Sequence, residues 1–126
     1  MTIKKSIVGS LFSMLLGSEM AAADWGDVYY CQMTNFDKIK LEGEKENYTL
    51  EKFQFKLDQT KNAMVFGSTG FFQDEVIDLT SGVPDQEVWY ANYENSGVYF
   101  FKEGKFFHTS AGPFGISSVS ADCDKF

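Results

Sequence analysis

Through much of this chain apolar side chains alternate with polar ones, the two-residue period of a strand with one buried face. Phe53, Phe55 and Leu57 fall on one side of YTLEKFQFKL (residues 48–57), and Gln54 and Lys56 on the other. Tyr29, Cys31 and Met33 of DVYYCQM share a face in the same way, as do Val119, Ala121 and Cys123 of ISSVSADC. AMVF (63–66) and VIDL (76–79) are shorter strands, and Phe71 with Phe72 is read as the opening of another. Between them stand turn-forming stretches: DQTKN, GSTG, SGVPDQ and AGPFG. Residues 34–47 (TNFDKIKLEGEKEN) have only Phe36, Ile39 and Leu41 as apolar anchors, and are a long loop or a poorly formed edge strand. Glu42, Glu44 and Glu46 alternate there without the Asp/Asn and Gly pattern of a calcium loop, so they read as a charged edge that discourages strand pairing.

The chain is organised around residues 88–110, where VWYANY, VYFF and FFHTS form an aromatic meander. Each of its two turns carries Gly with polar neighbours. A two-residue turn at Glu103-Gly104 sets Phe101 against Phe106, Phe100 against Phe107 and Tyr99 against His108. A turn over residues 94–97 sets Tyr93 against Val98, and hence Ala91 against Phe100. One face then carries Trp89, Ala91, Tyr93, Val98, Phe100 and Phe107, and is expected to be the core. The other carries Tyr90, Asn92, Tyr99, Phe101, Phe106 and His108, a mixed aromatic and polar set suited to binding. A register slip of one residue would exchange the two faces.

No stretch of the domain has a helical apolar period, and no repeat or linker interrupts it. Seven to eight short strands in about 100 residues predict an all-β fold, a small antiparallel up-and-down barrel or sandwich.

The first residues change the picture of where this domain works. Lys4 and Lys5 precede the apolar run IVGSLFSMLLG, and SEMAAA follows with Ala21 and Ala23 in an Ala-x-Ala pattern. That order describes a signal peptide over residues 1–23, with one β domain over 24–126. The apolar run has 11 residues, whereas a spanning helix needs about 20, so no stable membrane insertion is expected after cleavage. Removing residues 1–23 from 126 takes away two Lys and one Glu, and the formal charge moves from −7 to −8. The chain has no Arg. Nucleic acid is therefore a poor partner, because phosphate and base recognition rely on a basic surface with Arg forks. In an exported domain the two cysteines, Cys31 and Cys123, pair most simply as a disulfide.

Candidate chemistry is sparse. His108 is the single His, and no Gly-x-Ser-x-Gly elbow accompanies it. Asp74, Glu75 and Asp78 form the acidic group from which a carboxylate hydrolase would be built. Asp122 and Asp124 flank Cys123, and Asn47-Tyr48-Thr49 matches the glycosylation pattern. No catalytic residue, metal ligand or cofactor is assigned.

In layout, with a Cys near the start joined to one near the end of a small β-barrel, the chain resembles the periplasmic inhibitors of c-type lysozyme. Their working motif runs Ser-Gly-x-basic-Tyr. Ser96-Gly97-Val98-Tyr99 has its start and a Tyr, but lacks the basic residue and brings the Tyr one position early. The resemblance implies an enzyme inhibitor. The residues themselves imply a periplasmic or secreted binding module for a protein or small ligand of the cell envelope.

Export is testable directly. Intact-mass analysis of the released protein should give a chain beginning at Asp24; a released chain still beginning at Met1 would contradict this reading.

Overall fold

The computed structural model describes residues 22–80, 88–93 and 97–126. Nine strands lie within them: β1 (Val28–Lys40), β2 (Lys45–Asn47), β3 (Lys52–Asp58), β4 (Ala63–Phe66), β5 (Val76–Asp78), β6 (Trp89–Tyr93), β7 (Gly97–Lys102), β8 (Lys105–Gly112) and β9 (Gly115–Lys125). They form one sheet in the order β5-β4-β3-β1-β9-β8-β7-β6, with β2 added to β1. Every pairing is antiparallel. β5 and β6, at the two ends of that order, approach each other at Thr80. Its N–H donates to the Tyr90 carbonyl at 2.9 Å, and its Oγ1 accepts from the Asn92 N–H at 3.1 Å. The result is a nearly closed antiparallel barrel rather than a sandwich.

The first and last long strands meet along the barrel's main seam. β1 and β9 pair from Tyr29 with Lys125 to Lys40 with Gly115. Cys31 lies opposite Cys123, their Cα atoms 4.0 Å apart, and the two form the disulfide. A bulge between Met33 and Asn35 adds a residue to β1. It turns Phe36 back toward the side that Met33 faces, which strict alternation would not do. The Thr34 and Asn35 side chains both hydrogen-bond to Ser120 Oγ, at 2.8 and 2.9 Å, and hold the bulge in place. Residues 34–47 are thus not a single loop, and the edge strand expected there is limited to three residues. They are the second half of a 13-residue strand plus the return strand β2. The strands are also more numerous, and two of them much longer, than the short elements expected.

The interior is filled by side chains. Tyr29, Phe53, Phe55, Leu57, Met64, Ile77, Trp89, Tyr99, Phe101 and Phe106 are all buried. The Phe106 ring sits 4.8 Å from Phe53, 5.9 Å from Phe55 and 5.7 Å from Phe72. Burial of each such side chain contributes about 1.5–3 kcal/mol, and each well-placed aromatic pair about 0.5–1.5 kcal/mol more. Two segments outside the strands join this core. Trp25 packs edge-on against Trp89, with centroids 4.9 Å apart. Phe72, in the turn after β4, touches Phe66, Tyr99 and His108. Phe71 and Phe72 therefore open no strand; Phe72 has φ +59° and Asp74 φ +64°, backbone that strand pairing cannot use.

The meander keeps one expected register and loses the other. β7 and β8 pair through Phe101–Phe106 and Tyr99–His108, around a Glu103-Gly104 turn with both φ values positive. β6 and β7 are slipped by one: Tyr93 faces Gly97, Ala91 faces Tyr99 and Trp89 faces Phe101. Gly97 has φ +99°, and a Cβ there would lie 2.2 Å from the Thr109 carbonyl oxygen. Only glycine fits, and it opens β7 instead of closing the turn. Trp89 and Ala91 stay in the core as expected, but the β7 and β8 residues beside them are Tyr99, Phe101 and Phe106. Phe100 and Phe107, expected inside, are 40% and 50% exposed. The expected leader up to residue 21, the loop at residues 81–86 and the turn residues 94–96 lie outside the described residues.

The disulfide spans 92 positions, and the chain-entropy relation for such a loop gives about 4.6 kcal/mol. Cys31→Ser combined with Cys123→Ser should lower Tm by roughly 15 °C or more. An unchanged Tm, or two titratable thiols in the native protein, would rule the bridge out.

Candidate binding surfaces

The six residues expected to share a binding face are divided by the wall of the barrel. Tyr99, Phe101 and Phe106 are buried inside, at 3%, 0% and 0% exposure. They cannot present a surface to a partner. His108 is half-buried beside them, its ring 4.4 Å from Tyr99 and 5.3 Å from Phe72. Tyr90 and Asn92 lie on the opposite, outer side, since strand neighbours alternate with the buried Trp89 and Ala91.

The slip that buries those residues exposes another set. Tyr90, Phe100 and Phe107 stand opposite one another on β6, β7 and β8. They make a continuous aromatic row on the outside of the sheet. Tyr90 and Phe100 rings are 4.8 Å apart at 34°. Along β7 and β8, Lys102 and Lys105 face each other at one end, and Val98 faces Thr109 at the other. The doublets Phe100-Phe101 and Phe106-Phe107 carried this signal: consecutive strand residues point to opposite faces, so one Phe of each pair had to be outside.

A second surface forms where β1, β2, β8 and β9 extend past the Phe71–Phe72 turn. A cavity of about 280 Å³ is lined there by Phe36, Lys38, Tyr48, Phe71, His108 and Val119. On the β1–β2 hairpin, Tyr48 Oη donates to Glu46 Oε1 at 2.8 Å, and Lys40 Nζ lies 3.0 Å from Glu46 Oε2. Tyr48's hydrogen bond first, and then Lys40, hold the Glu46 carboxyl below its ordinary range. The same carboxylate raises Lys40 and Tyr48. Lys38 sits 5.9 Å above the Tyr48 ring.

The third surface is a groove of about 550 Å³ on the outside of β3, β1 and β9. Tyr30, Gln32, Lys52, Gln54, Asp122 and Asp124 line it. Asp122 is paired with Lys105 of β8. This volume falls within the range of small-molecule sites.

The acidic group of the sequence does not gather into a pocket. Asp74, Glu75 and Asp78 are exposed, in the turn after Phe72 and on β5. Among the described residues, no three His, Cys, Asp or Glu side chains come together in a metal-binding arrangement. Of the fragment at residues 96–99, Ser96 lies outside the described residues, Gly97 opens β7, and Tyr99 points into the core. Among the described residues no helix is long and apolar enough to cross a membrane. Comparison with protein-family models, curated proteins and solved structures found no match.

Electrostatics within the core make one measurable prediction. Burial, then the Asp27 carboxylate and a hydrogen bond to it, push Tyr29 from 10.0 up to about 12. Tyrosine is charged only after losing its proton, so the fold favours the neutral form. Its contribution to stability is complete below pH 10 and declines as pH rises towards 12. In an absorbance titration compared with that of Tyr29→Phe, the difference should be a tyrosine that ionises near pH 12, with the urea midpoint of the parent protein falling over the same interval. Ionisation of Tyr29 near pH 10 with the fold intact would contradict its placement.

Proposed function

We propose that the protein is an exported, non-catalytic binding module that uses the outer surface of its barrel. The observation behind this reading is the outer aromatic row Tyr90–Phe100–Phe107, in which Phe100 and Phe107 are exposed and Tyr90 is half-buried. Aromatic rings left on an outer face while the interior is already filled are a common mark of contact sites. The leader-like first 23 residues and the single disulfide support a periplasmic or secreted location. The partner is a protein or small ligand of the cell envelope. His108 lies between aromatic rings, which supports a packing role over general-base work.

Enzyme inhibition is the second reading. A barrel whose first and last strands are joined by a disulfide supports it. Its projecting tyrosine is missing, because Tyr99 is in the core.

Paired variants test the binding reading. Phe100→Ser with Phe107→Ser should abolish retention of the partner from an envelope extract while costing about 1 kcal/mol or less. Tyr99→Ser with Phe101→Ser removes two core rings at about 3–5 kcal/mol each and should unfold the domain. Undiminished retention by the first, folded variant would overturn the assignment.

A further inference from the structure

We infer that the groove over β3, β1 and β9 is a separate binding site for a neutral saccharide. Its floor is built in register. Gln54, Tyr30 and Asp124 stand opposite one another on the three strands, and Lys52, Gln32 and Asp122 form the next row. Three adjacent strands span roughly 10 Å, room for a short stretch of sugar chain.

The chemistry of this floor selects among ligands. Tyr30 is 44% exposed, and its ring offers an apolar face to the C–H side of a pyranose. Phe126 packs against it with centroids 5.3 Å apart, which restrains the ring. Gln54 and Asp124 each carry two polar atoms at fixed spacing, which can engage neighbouring hydroxyls together. Gln32 Nε2 already donates to the Met33 carbonyl at 3.2 Å, which fixes the amide and leaves its Oε1 as an acceptor for the ligand. A lipid would leave these groups unpaired and desolvated.

Charge balance excludes strongly ionic ligands. Lys105 pairs with Asp122, leaving Asp124 and Lys52 on either side of β1. Among the described residues neither Lys52 nor Asp124 makes an ion pair. One free charge of each sign, with the amides between them, suits an uncharged polyhydroxyl ligand better than a phosphate or a basic peptide.

The wall of the groove is fixed before any ligand arrives. The Phe71 N–H donates to the Lys52 carbonyl, and the Gly67 N–H to the Gln54 carbonyl, each at 3.0 Å. Gly70, at φ +91°, lies so close that a Cβ would stand 2.5 Å from the Lys52 carbonyl oxygen. A pre-formed wall lowers the ordering cost of binding.

The test is a titration of the ¹⁵N-labelled full chain with cellotetraose, chitotetraose and maltotetraose, and with tetralysine as a charged comparison. At least one tetrasaccharide should shift the amides of Tyr30, Gln32, Gln54 and Asp124. Tyr30→Ala should weaken that binding tenfold or more, and Tyr30→Phe should keep it within about threefold. Both variants alter a partly exposed side chain, and unchanged dispersion of the remaining amides checks their fold. Shifts confined to Tyr90, Phe100 and Phe107 would overturn this site while leaving the aromatic-row reading intact. Response to tetralysine alone, or no response to any tetrasaccharide at 10 mM, would also overturn it.

Discussion

A barrel with eight strands in its wall has an interior just wide enough for its own side chains. That constraint governs the rest of this molecule. The rings of Tyr29, Phe53, Phe55, Trp89, Tyr99, Phe101 and Phe106 occupy the space a ligand would need. Trp25 and Phe72 add aromatic packing from outside the strands. Among the described residues the buried side chains are aromatic, aliphatic or sulfur-bearing, and the polar atoms taken inside are the tips of aromatic rings, such as the Tyr29 hydroxyl, which meets Asp27, and Trp89 Nε1. A ligand must therefore be met from outside, where half-exposed rings and the polar groove lie.

β1 and β9 run further than closure of this filled barrel requires. A seam that closed only the barrel could stop near Met33. The bulge after Met33 lets the pair continue to Lys40 and Gly115 with Phe36 and Val119 still facing inward. The extension carries β2 and the Glu46–Lys40–Tyr48 network past the core, and the cavity beside His108 lies between that extension and the Phe71–Phe72 turn. A single inserted residue thus turns a filled barrel into one with a recess at one end.

Much of this architecture is legible in the sequence, for a definable reason. Where alternation runs unbroken, as at Phe53-Phe55-Leu57 or Val119-Ala121-Cys123, the buried face follows from the two-residue period. The Cys31–Cys123 pairing follows from having two cysteines near the two ends of the domain, in what prove to be its first and last strands. What failed depended on single residues that break the period. The bulge hid the second half of β1, and polar composition made it look like a loop. Gly97 belongs to a strand although its flexibility suggests a turn, and this moved Tyr99 and Phe101 inside. Phe72 is a bulky residue with a positive φ, a conformation that sequence preference disfavours and packing against Phe66 and Phe106 outweighs. The groove was illegible because its lining residues come from three strands and a turn far apart in the chain, each ordinary on its own.

The pairing of β6 with β7 decides which aromatic rings are core and which are surface. Cross-strand nuclear Overhauser contacts measure it directly. The structure requires contacts joining Ala91 to Tyr99 and Trp89 to Phe101. Contacts joining Ala91 to Phe100 and Tyr90 to Phe101 would return Phe100 and Phe107 to the interior, and with them the aromatic row would vanish from the surface.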